Sequence, residues 1–492
     1  MGGIMFEIAE LGIKTDKETF DKEVPKLRLA LLEAQKQLSK ADFSVALLVS
    51  GVEGAGKTQL VNLLVEWMDA RGVEVHAPWE PSDEEKERPR FWRYWRMLPP
   101  KGKMAVFLGS WYSDLIVDRV FHRKKKASFY KELGHIKDFE TLLADEKVLV
   151  VKLWLHLSKK DQRRRFNKLE KDPETRWRVT AKDWRFLKRY DRFREVSEQT
   201  LRKTGTAAVP WQIVEAADRR HTALTAAKAL IKAINNKLKS NKLQPDAKPT
   251  VPRPKPVNIL RRLDFTKALS REDYDKELPR WQGRLADLTR RLRGRKKSVL
   301  LLFEGPDAAG KGGSIRRMTR AMDARLYRVI STSAPDEIER AHPYLWRFWR
   351  DLPRTGRMAV YDRSWYGRVL VERLEGFCSP DEWTRAYGEI NAFEEQLTDF
   401  GIILLKFWIA ITPQEQLQRF KDRNLKPYKQ YKLTEEDWRN RKKWDAYEAA
   451  ACDMIEKTST DCAPWTLVEG NDKRGARIKV IRTVVEKIDE AY

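Results

Sequence analysis

The feature that most constrains the fold of this chain is an internal repeat. Lys57 and Lys311 lie 254 positions apart, and the same offset aligns other rare residues throughout both halves. The aligned pairs include Trp92 with Trp346, Trp95 with Trp349, Trp154 with Trp408, and the motif Ser-Trp-Tyr at 110–112 with 364–366. A fixed offset over most of the chain predicts two tandem copies of one domain.

A basic, Pro-rich segment separates the two copies. Its sequence, NKLQPDAKPTVPRPKPVN, is typical of a semi-extended linker. We therefore predict an N-terminal domain over 1–240, a linker over 241–257 and a C-terminal domain over 258–492. With 492 residues in the chain, each copy is long enough to bury its own hydrophobic core.

Each copy opens with a charged amphipathic helix and continues with alternating strand and helix signals. The strand candidates of the second copy are SVLLLFEG, YRVIST, MAVYD, GIILLKFWIAI and APWTLVEG. The first of these is a continuous apolar run that ends in glycine, which is typical of a buried parallel strand. The alternation predicts an α/β fold, in which an open parallel sheet has helices on both faces and ligands bind at the carboxyl ends of the strands.

Each copy also has a glycine-rich loop after its first strand. The first copy has the complete phosphate-loop pattern, with Gly51, four residues, Gly56, Lys57 and Thr58. The second reads GPDAAGKGG and has glycine where a Ser or Thr normally follows the lysine. Backbone N–H groups, the helix N-terminus and the lysine bind phosphate in such loops. The predicted phosphate-binding residues of the second copy are Gly305, Ala308, Ala309, Gly310, Lys311 and Gly312.

Candidate catalytic groups occur in the second copy only. Phosphoryl transfer needs a metal held by oxygen ligands, and we predict Asp307 in the loop and Asp362 at the end of MAVYD as those ligands. Arg363 is the candidate cation for transition-state charge; a turn or cap role for Asp362 is the alternative. The first copy has, in the same places, Glu53, Leu108 and Gly109. We therefore predict that the second copy is catalytic and that the first is a structural or substrate-binding partner.

The basic segment QRFKDRNLKPYKQYKL of the second copy is typical of a mobile lid that closes on phosphates and excludes water. Its candidate phosphate-binding side chains are Arg423 and Lys429. The first copy has Leu169 and Thr175 at these positions. Their loss from the copy that also lacks Asp362 argues against a role as solvated surface charge.

At these residues the sequence resembles the second polyphosphate kinase family, the polyphosphate:nucleotide phosphotransferases. The similar segments are GPDAAGKGG, LWRFWRDLPRTGRMAVYDRSWYGRVLVER, RFKDRNLKPYKQYKL with WDAYEAA, and APWTLVEGNDKRGAR. The resemblance implies a thymidylate-kinase-like phosphate-loop fold with a helical lid, duplicated in tandem here. It also implies dependence on Mg²⁺ and inorganic polyphosphate as the phosphoryl donor. Family members with two fused domains typically phosphorylate AMP to ADP with the C-terminal domain.

The resemblance also implies roles for individual residues. Asp307 and Asp362 would position magnesium and the attacking phosphate, and Lys311 would bind phosphate. The transferred charge would be stabilised by Arg363 and Arg423, and the nucleotide side would be formed by Glu372 and Arg368. The chain departs from the family pattern at Lys426-Pro427, where Asp-Pro is usual, and at Tyr431, where Trp is common.

Charge and cysteine content suggest the partners and the compartment. The formal net charge is +26, which favours a polyanionic partner such as polyphosphate, a chain with about one negative charge per unit. Three cysteines without metal-ligand spacing, no signal-peptide pattern and no membrane-spanning apolar run predict a cytoplasmic protein without a membrane partner. We further expect AMP as the acceptor, no stable nucleic-acid partner, and a homo-oligomer in which two-domain chains pair as a dimer.

Several alternatives fit the same residues. The acceptor could be ADP or GDP, or the reaction could run toward polyphosphate synthesis. A nucleic-acid-binding phosphate-loop ATPase would show salt-dependent RNA or DNA binding that stimulates ATP hydrolysis. An ATP-dependent nucleotide kinase would use ATP as the donor and be inhibited by polyphosphate.

Overall fold

The computed structural model describes residues 5–243, 258–425, 427–430 and 434–492, with side chains for all of these except 241–243, 428 and 429. Each half of the chain forms one five-stranded sheet in which all strand pairs are parallel. The prediction of a tandem α/β fold is confirmed.

The first half contributes five strands and ten helices within its described residues. The strands are β1 (Ser44–Gly51), β2 (Val73–His76), β3 (Met104–Leu108), β4 (Val148–His156) and β5 (Trp211–Glu215). The helices are α1 (Lys17–Leu38), α2 (Lys57–Glu66), α3 (Asp83–Lys86), α4 (Trp92–Arg96), α5 (Ser113–Val120), α6 (Lys126–Asp145), α7 (Lys159–Lys171), α8 (Ala181–Lys188), α9 (Tyr190–Thr204) and α10 (Arg219–Leu243).

The second half repeats this order, with one additional short helix at 427–430. The strands are β6 (Ser298–Glu304), β7 (Tyr327–Ser331), β8 (Met358–Asp362), β9 (Ile402–Ala410) and β10 (Trp465–Glu469). The helices are α11 (Arg271–Arg291), α12 (Lys311–Thr319), α13 (Glu337–Arg340), α14 (Trp346–Arg350), α15 (Val371–Glu375), α16 (Pro380–Asp399), α17 (Pro413–Asn424), α18 (Pro427–Gln430), α19 (Glu435–Lys442), α20 (Trp444–Thr458) and α21 (Lys473–Glu490).

The two sheets have the same topology. The strand order is β2-β3-β1-β4-β5 in the first sheet and β7-β8-β6-β9-β10 in the second. The phosphate-loop strand is therefore central in each, and β8 lies beside β6 with Phe303 paired to Asp362. This register brings the end of β8 next to the loop that follows β6, as ligand sites at the carboxyl ends of parallel strands require.

Burial explains the strand assignments. Every residue of β6 is buried, because helices cover both faces of a parallel sheet. Its Leu301 belongs to a core that also contains Phe407 of β9 and Val484 of α21. Replacing such a leucine with alanine costs about 2–5 kcal/mol. Trp349 of α14 is also buried, so this helix packs its Trp349 side chain into the protein interior.

The compact units of the structure differ from contiguous halves. One unit comprises 1–81, 93–246 and 336–346, and the other comprises 82–92, 247–335 and 347–492. A short segment of each half, containing α3 or α13, therefore belongs to the unit built mainly from the other half. Helix α10 continues through Leu243, past the predicted boundary at 240, and the rest of the predicted linker lies outside the described residues.

None of the described helices combines the length and the apolar composition needed to cross a lipid bilayer.

Candidate active site

The loop after β6 has the backbone shape of a phosphate cradle. Gly305 has φ +141°, and a Cβ built there would lie 2.3 Å from the main-chain oxygen of Ile409, so only glycine fits. Helix α12 begins at Lys311, and its N-cap, Gly310, offers no side chain to the first-turn N–H groups. These N–H groups and the positive end of the helix favour an anion at this point.

Lys311 is 9% exposed and points back at its own loop. Its Nζ donates to the main-chain oxygens of Gly305 at 2.6 Å and Pro306 at 3.2 Å. Burial, followed by the charge of Arg363, lowers the pKa of this amine, while the nearby carboxylates oppose the shift. A bound phosphate would give the ammonium group a stronger acceptor than these carbonyls.

Arg363 has a backbone conformation that side chains rarely adopt. Its φ is +63°, and Ala308 in the loop has the same value. The equivalent residues of the first half are Gly109 at +83° and Gly54 at +73°. Left-handed backbone costs an L-residue about 1–2 kcal/mol and glycine almost nothing. The second half therefore keeps two side chains under strain where the first half has glycines, as is common at functional sites.

Asp307 is held by donors on both of its carboxylate oxygens. Arg363 Nη2 donates to Oδ1 at 2.8 Å, and Asn440 Nδ2 donates to Oδ2 at 2.9 Å. Gln416 Nε2 donates to the main-chain oxygen of Asp307 at 3.0 Å. The Arg363 side chain remains 44% exposed, whereas that of Asp307 is 12% exposed. Arg363 is thus a cation at the mouth of the site, pre-positioned by a nearly buried carboxylate.

Asp362 ends β8 and faces the loop. A Cβ built on Gly312 would lie 3.8 Å from Asp362 Oδ2, so the carboxylate adjoins the position from which a loop Ser or Thr would project. No side chain among the described residues donates a hydrogen bond to this carboxylate. Carboxylate oxygens suit Mg²⁺, and Asp362 fits a metal ligand directly. Asp307 would first have to exchange one of its two donors.

Three polar residues of this site were not predicted from the sequence. Glu304 is buried and accepts a hydrogen bond from Ser364 Oγ at 2.7 Å, and its burial raises the pKa of the carboxyl group. Asn440 holds Asp307, as described above. Burial and the negative charges of Glu304 and Asp307 raise the pKa of the Tyr447 phenol.

The repeat offset could have identified all three. The first half has apolar or small residues where the second has Glu304, Asn440 and Tyr447, namely Ser50, Phe186 and Phe193. This pattern matches the absence of Asp362 and Arg363, so five polar residues of the site are missing together from the first half.

Another buried polar cluster serves as an internal control. Lys406 Nζ donates to Glu394 at 2.7 Å and to the main-chain oxygen of Thr458 at 2.7 Å. In the first half Lys152 makes the same two bonds, to Glu140 at 2.6 Å and Thr204 at 2.9 Å. Because both halves keep this cluster, it belongs to the fold rather than to the chemistry of one half.

The other predicted residues lie on neighbouring elements. Arg368 Nε is 3.1 Å from Glu372 Oε2, so the two predicted nucleotide-side residues form an ion pair. Arg423 lies in the last turn of α17, one turn after Arg419. Arg419 Nη1 donates to the main-chain oxygens of Ala308 and Ala309 and so ties α17 to the loop. The side chain of Lys429 lies outside the described residues, as do 426 and 431–433 of the predicted lid.

Comparisons with known proteins identify the family of this chain. Residues 14–242 and 268–492 match the family described as Polyphosphate kinase 2 (PPK2). The chain is 51% identical over 492 residues to a polyphosphate:AMP phosphotransferase of Pseudomonas aeruginosa, with 99% of each chain covered. It is 46% identical over 494 residues to a protein of the same name from Pseudomonas syringae pv. tomato, again with 99% of each covered.

A solved structure gives the same result for the fold. A crystal structure from Pseudomonas aeruginosa PA01, described as a polyphosphate kinase 2, superimposes with a TM-score of 0.89 at 48% identity and covers 99% of both chains. Two family matches in tandem and similarity over the full length are consistent with the duplicated sheet and its loops. The chain belongs to the polyphosphate kinase 2 family.

Proposed function

We propose that the chain transfers the terminal phosphate of inorganic polyphosphate to AMP, giving ADP and a polyphosphate shorter by one unit. The observation that carries this proposal is the polar lining at the strand ends of the second half, which the first half lacks. The full-length relatives named polyphosphate:AMP phosphotransferases support the choice of donor and acceptor.

The reaction forms one bond and breaks one. A phosphate oxygen of AMP attacks the terminal phosphorus of polyphosphate, and the bridging P–O bond breaks, so that the bonding pair stays on the shortened polyphosphate. Such transfer depends on positioning and on stabilisation of charge rather than on a covalent enzyme intermediate. Lys311 and the loop N–H groups would hold the transferring phosphate, and Arg363 would turn from Asp307 toward its equatorial oxygens.

We further propose that Mg²⁺ binds at Asp362, with Asp307 as the second carboxylate. When bound, the ion would neutralise charge on the reacting phosphates. The role of this chain is to present Asp362 without a competing side-chain donor from the described residues and to leave space at Gly312 beside it. Asp307 would become available as Arg363 moves to the substrate.

The proposal assigns different roles to the two domains. The second carries the reaction, with Arg423 and Lys429 closing on phosphate and the Arg368–Glu372 pair on the nucleotide side. The first keeps the fold but lacks the polar lining. We also propose that two-domain chains pair as a dimer, which analytical ultracentrifugation of the full chain measures.

The test is ADP formation from AMP, Mg²⁺ and long-chain polyphosphate by the wild type, Asp362→Ala and Lys57→Ala under identical conditions. The proposal expects ADP from the wild type, a loss of about 10³-fold or more in Asp362→Ala, and nearly full activity in Lys57→Ala. Loss of activity in Lys57→Ala alone would reverse the assignment of the halves. Transfer from ATP but not from polyphosphate would reject the donor.

A further inference from the structure

Helix α7 of the first half carries a groove lined by charge of one sign. The groove is open, encloses about 980 Å³, and is lined by Lys159, Lys160, Arg163, Arg164, Asn167, Lys168 and Lys171. We call these seven residues the α7 groove. Six of them are cations, so the lining attracts anions strongly.

Most of these cations are not neutralised by the protein. Lys159 pairs with Asp191 at 2.5 Å, and Arg164 pairs with Asp161 at 2.7 Å. The other four cations form no ion pair with any residue that the structure describes, and they are exposed. Folding therefore leaves positive charge concentrated on one helix.

The second half lacks this charge. At the repeat offset the seven groove positions are occupied by Pro413, Gln414, Leu417, Gln418, Lys421, Asp422 and Leu425. Their formal charges cancel, whereas those of the α7 groove do not. The concentration of positive charge at these positions is therefore particular to the first half.

The face of α7 opposite the groove makes the same contacts to the first phosphate loop as α17 makes to the second. Gln162 Nε2 donates to the main-chain oxygen of Glu53 at 2.9 Å, and Arg165 Nη1 donates to that of Gly54 at 2.7 Å. These contacts match those that Gln416 and Arg419 make to the second loop. The inner face of α7 therefore maintains the fold, and only its outer face has acquired charge.

The lysine of the first phosphate loop is less available to an anion than the unpaired cations of the α7 groove. Lys57 Nζ is 3.3 Å from Glu53 Oε2 and also donates to the main-chain oxygens of Gly51 and Val52. In the second half Asp307 is engaged by Arg363 and Asn440 instead of the loop lysine. Anion binding in the first half is consequently expected at the α7 groove rather than at its loop.

The groove fits a linear polyanion without bases. Lys160, Arg164, Lys168 and Lys171 follow one another at intervals of three and four residues and form a stripe about 16 Å long. None of the seven described residues that line the groove has an aromatic ring on which a nucleobase could stack, as single-stranded nucleic-acid sites usually provide. Charge spacing alone is enough to bind a chain of phosphates.

We propose that the α7 groove is an accessory binding site for inorganic polyphosphate. This inference rests on the proposed function, since it assigns the donor of that reaction a second contact on the non-catalytic half. A long polyphosphate held at the groove stays at high local concentration near the same molecule's catalytic half. A donor of only a few units is shorter than the stripe of cations and contacts fewer of them, so it gains less from the groove.

The test replaces three groove cations with the residues of the second half. The variant is Lys160→Gln, Arg164→Gln and Lys168→Asp in the full chain. The matched control, Lys22→Gln, Lys36→Gln and Lys40→Asp, makes the same change in formal charge at exposed positions of the same half. The readouts are KM and kcat with long and with short polyphosphate, and anisotropy of labelled long polyphosphate.

The proposal expects the groove variant to bind long polyphosphate about fivefold or more weakly, with a smaller salt dependence. Its KM for the long donor should rise, while kcat and the KM for the short donor stay unchanged and the control resembles the wild type. Equal effects in both variants, or none, would overturn the proposal, as would tighter binding of single-stranded RNA than of polyphosphate. If the triple variant unfolds, Lys160→Gln and Lys171→Gln singly give the same comparison.

This design separates the two proposals. If the wild type makes no ADP from either donor length, the proposed function fails whatever the groove does. If it makes ADP and the groove variant binds long polyphosphate like the control, only the accessory site fails.

Discussion

Replacement of Arg363 by Gly and, separately, by Ala distinguishes the two effects that this residue combines. Both variants remove the guanidinium group that contacts Asp307, but only Gly relieves the backbone at φ +63°. We therefore expect the two variants to lose activity equally and to differ in stability. The equivalent Gly109, at φ +83°, provides a control in the first half.

The loss of activity follows from the charge that Arg363 would stabilise. A cation on the transferring phosphoryl group contributes about 10³–10⁵ in rate, or about 4–7 kcal/mol at 1.36 kcal/mol per tenfold. In the free chain this guanidinium is paired with Asp307, and breaking that pair offsets part of its effect. We accordingly expect a fall of about 10³-fold in ADP formation for both variants.

The difference in stability follows from the backbone. A left-handed backbone destabilises an L-residue by about 1–2 kcal/mol, and glycine avoids this cost. Glycine in turn loses about 0.5–1 kcal/mol of stability because its unfolded backbone is more flexible, which offsets part of the gain. The lost ion pair contributes less than about 1 kcal/mol because the Arg363 side chain is 44% exposed. Arg363→Gly should therefore unfold close to the wild type, and Arg363→Ala about 1 kcal/mol more easily.

The measurements are initial rates of ADP formation and differential scanning calorimetry. In a domain of this size, 1 kcal/mol shifts the unfolding transition by about 2–4 °C. Gly109→Ala should produce a similar shift and keep full activity. Retention of activity within tenfold in Arg363→Ala would refute the role of the charge, and equal transition temperatures for the two Arg363 variants would refute the strain.

Three other substitutions test separate parts of the structure. Asn440→Phe, which introduces the residue of the first half, should remove the hydrogen bond that fixes the orientation of Asp307 and lower ADP formation about tenfold at nearly unchanged transition temperature. Glu304→Gln should gain stability relative to the wild type as the pH rises above about 4.5, since the unfolded carboxyl group ionises first and the raised folded pKa makes wild-type stability fall with pH; calorimetry from that pH upward checks it. Lys406→Met and Lys152→Met should each lose about 3–5 kcal/mol, because each leaves a buried glutamate without its partner, and equal losses in the two halves would support a structural role.

The strands were predictable because their signal is local. All five strand candidates of the second copy contain an observed strand, from β6 at Ser298–Glu304 to β10 at Trp465–Glu469. Continuous apolar runs of this length are what a sheet covered on both faces requires. The same runs placed Asp362 at a strand end, so the sequence already indicated the part of the site that the strand ends form.

The rest of the site depends on contacts between residues that are far apart in sequence. Asn440 and Asp307 are separated by 133 residues, and nothing near Asn440 marks it as a site residue. The assignment of 82–92 and 336–346 to the other compact unit was likewise not predictable from the sequence. Linker composition predicts contiguous domain boundaries, whereas the assignment of these segments depends on tertiary contacts. Only the repeat offset indicates that Asn440 belongs to the site, because the first half has Phe186 at the equivalent position.

Completeness of the loop motif is a poor guide to catalysis in this chain, and the geometry at Gly312 explains why. Thr58 of the first half completes the motif, but the strand end opposite it is Leu108, which cannot bind a cation. Gly312 has no hydroxyl, but a Cβ there would lie 3.8 Å from Asp362 Oδ2. A threonine at this position would project into the space between the loop and the carboxylate, where the metal and phosphate of the proposed reaction must fit. The glycine and the aspartate are therefore complementary, and the missing hydroxyl is a consequence of using a carboxylate from the neighbouring strand.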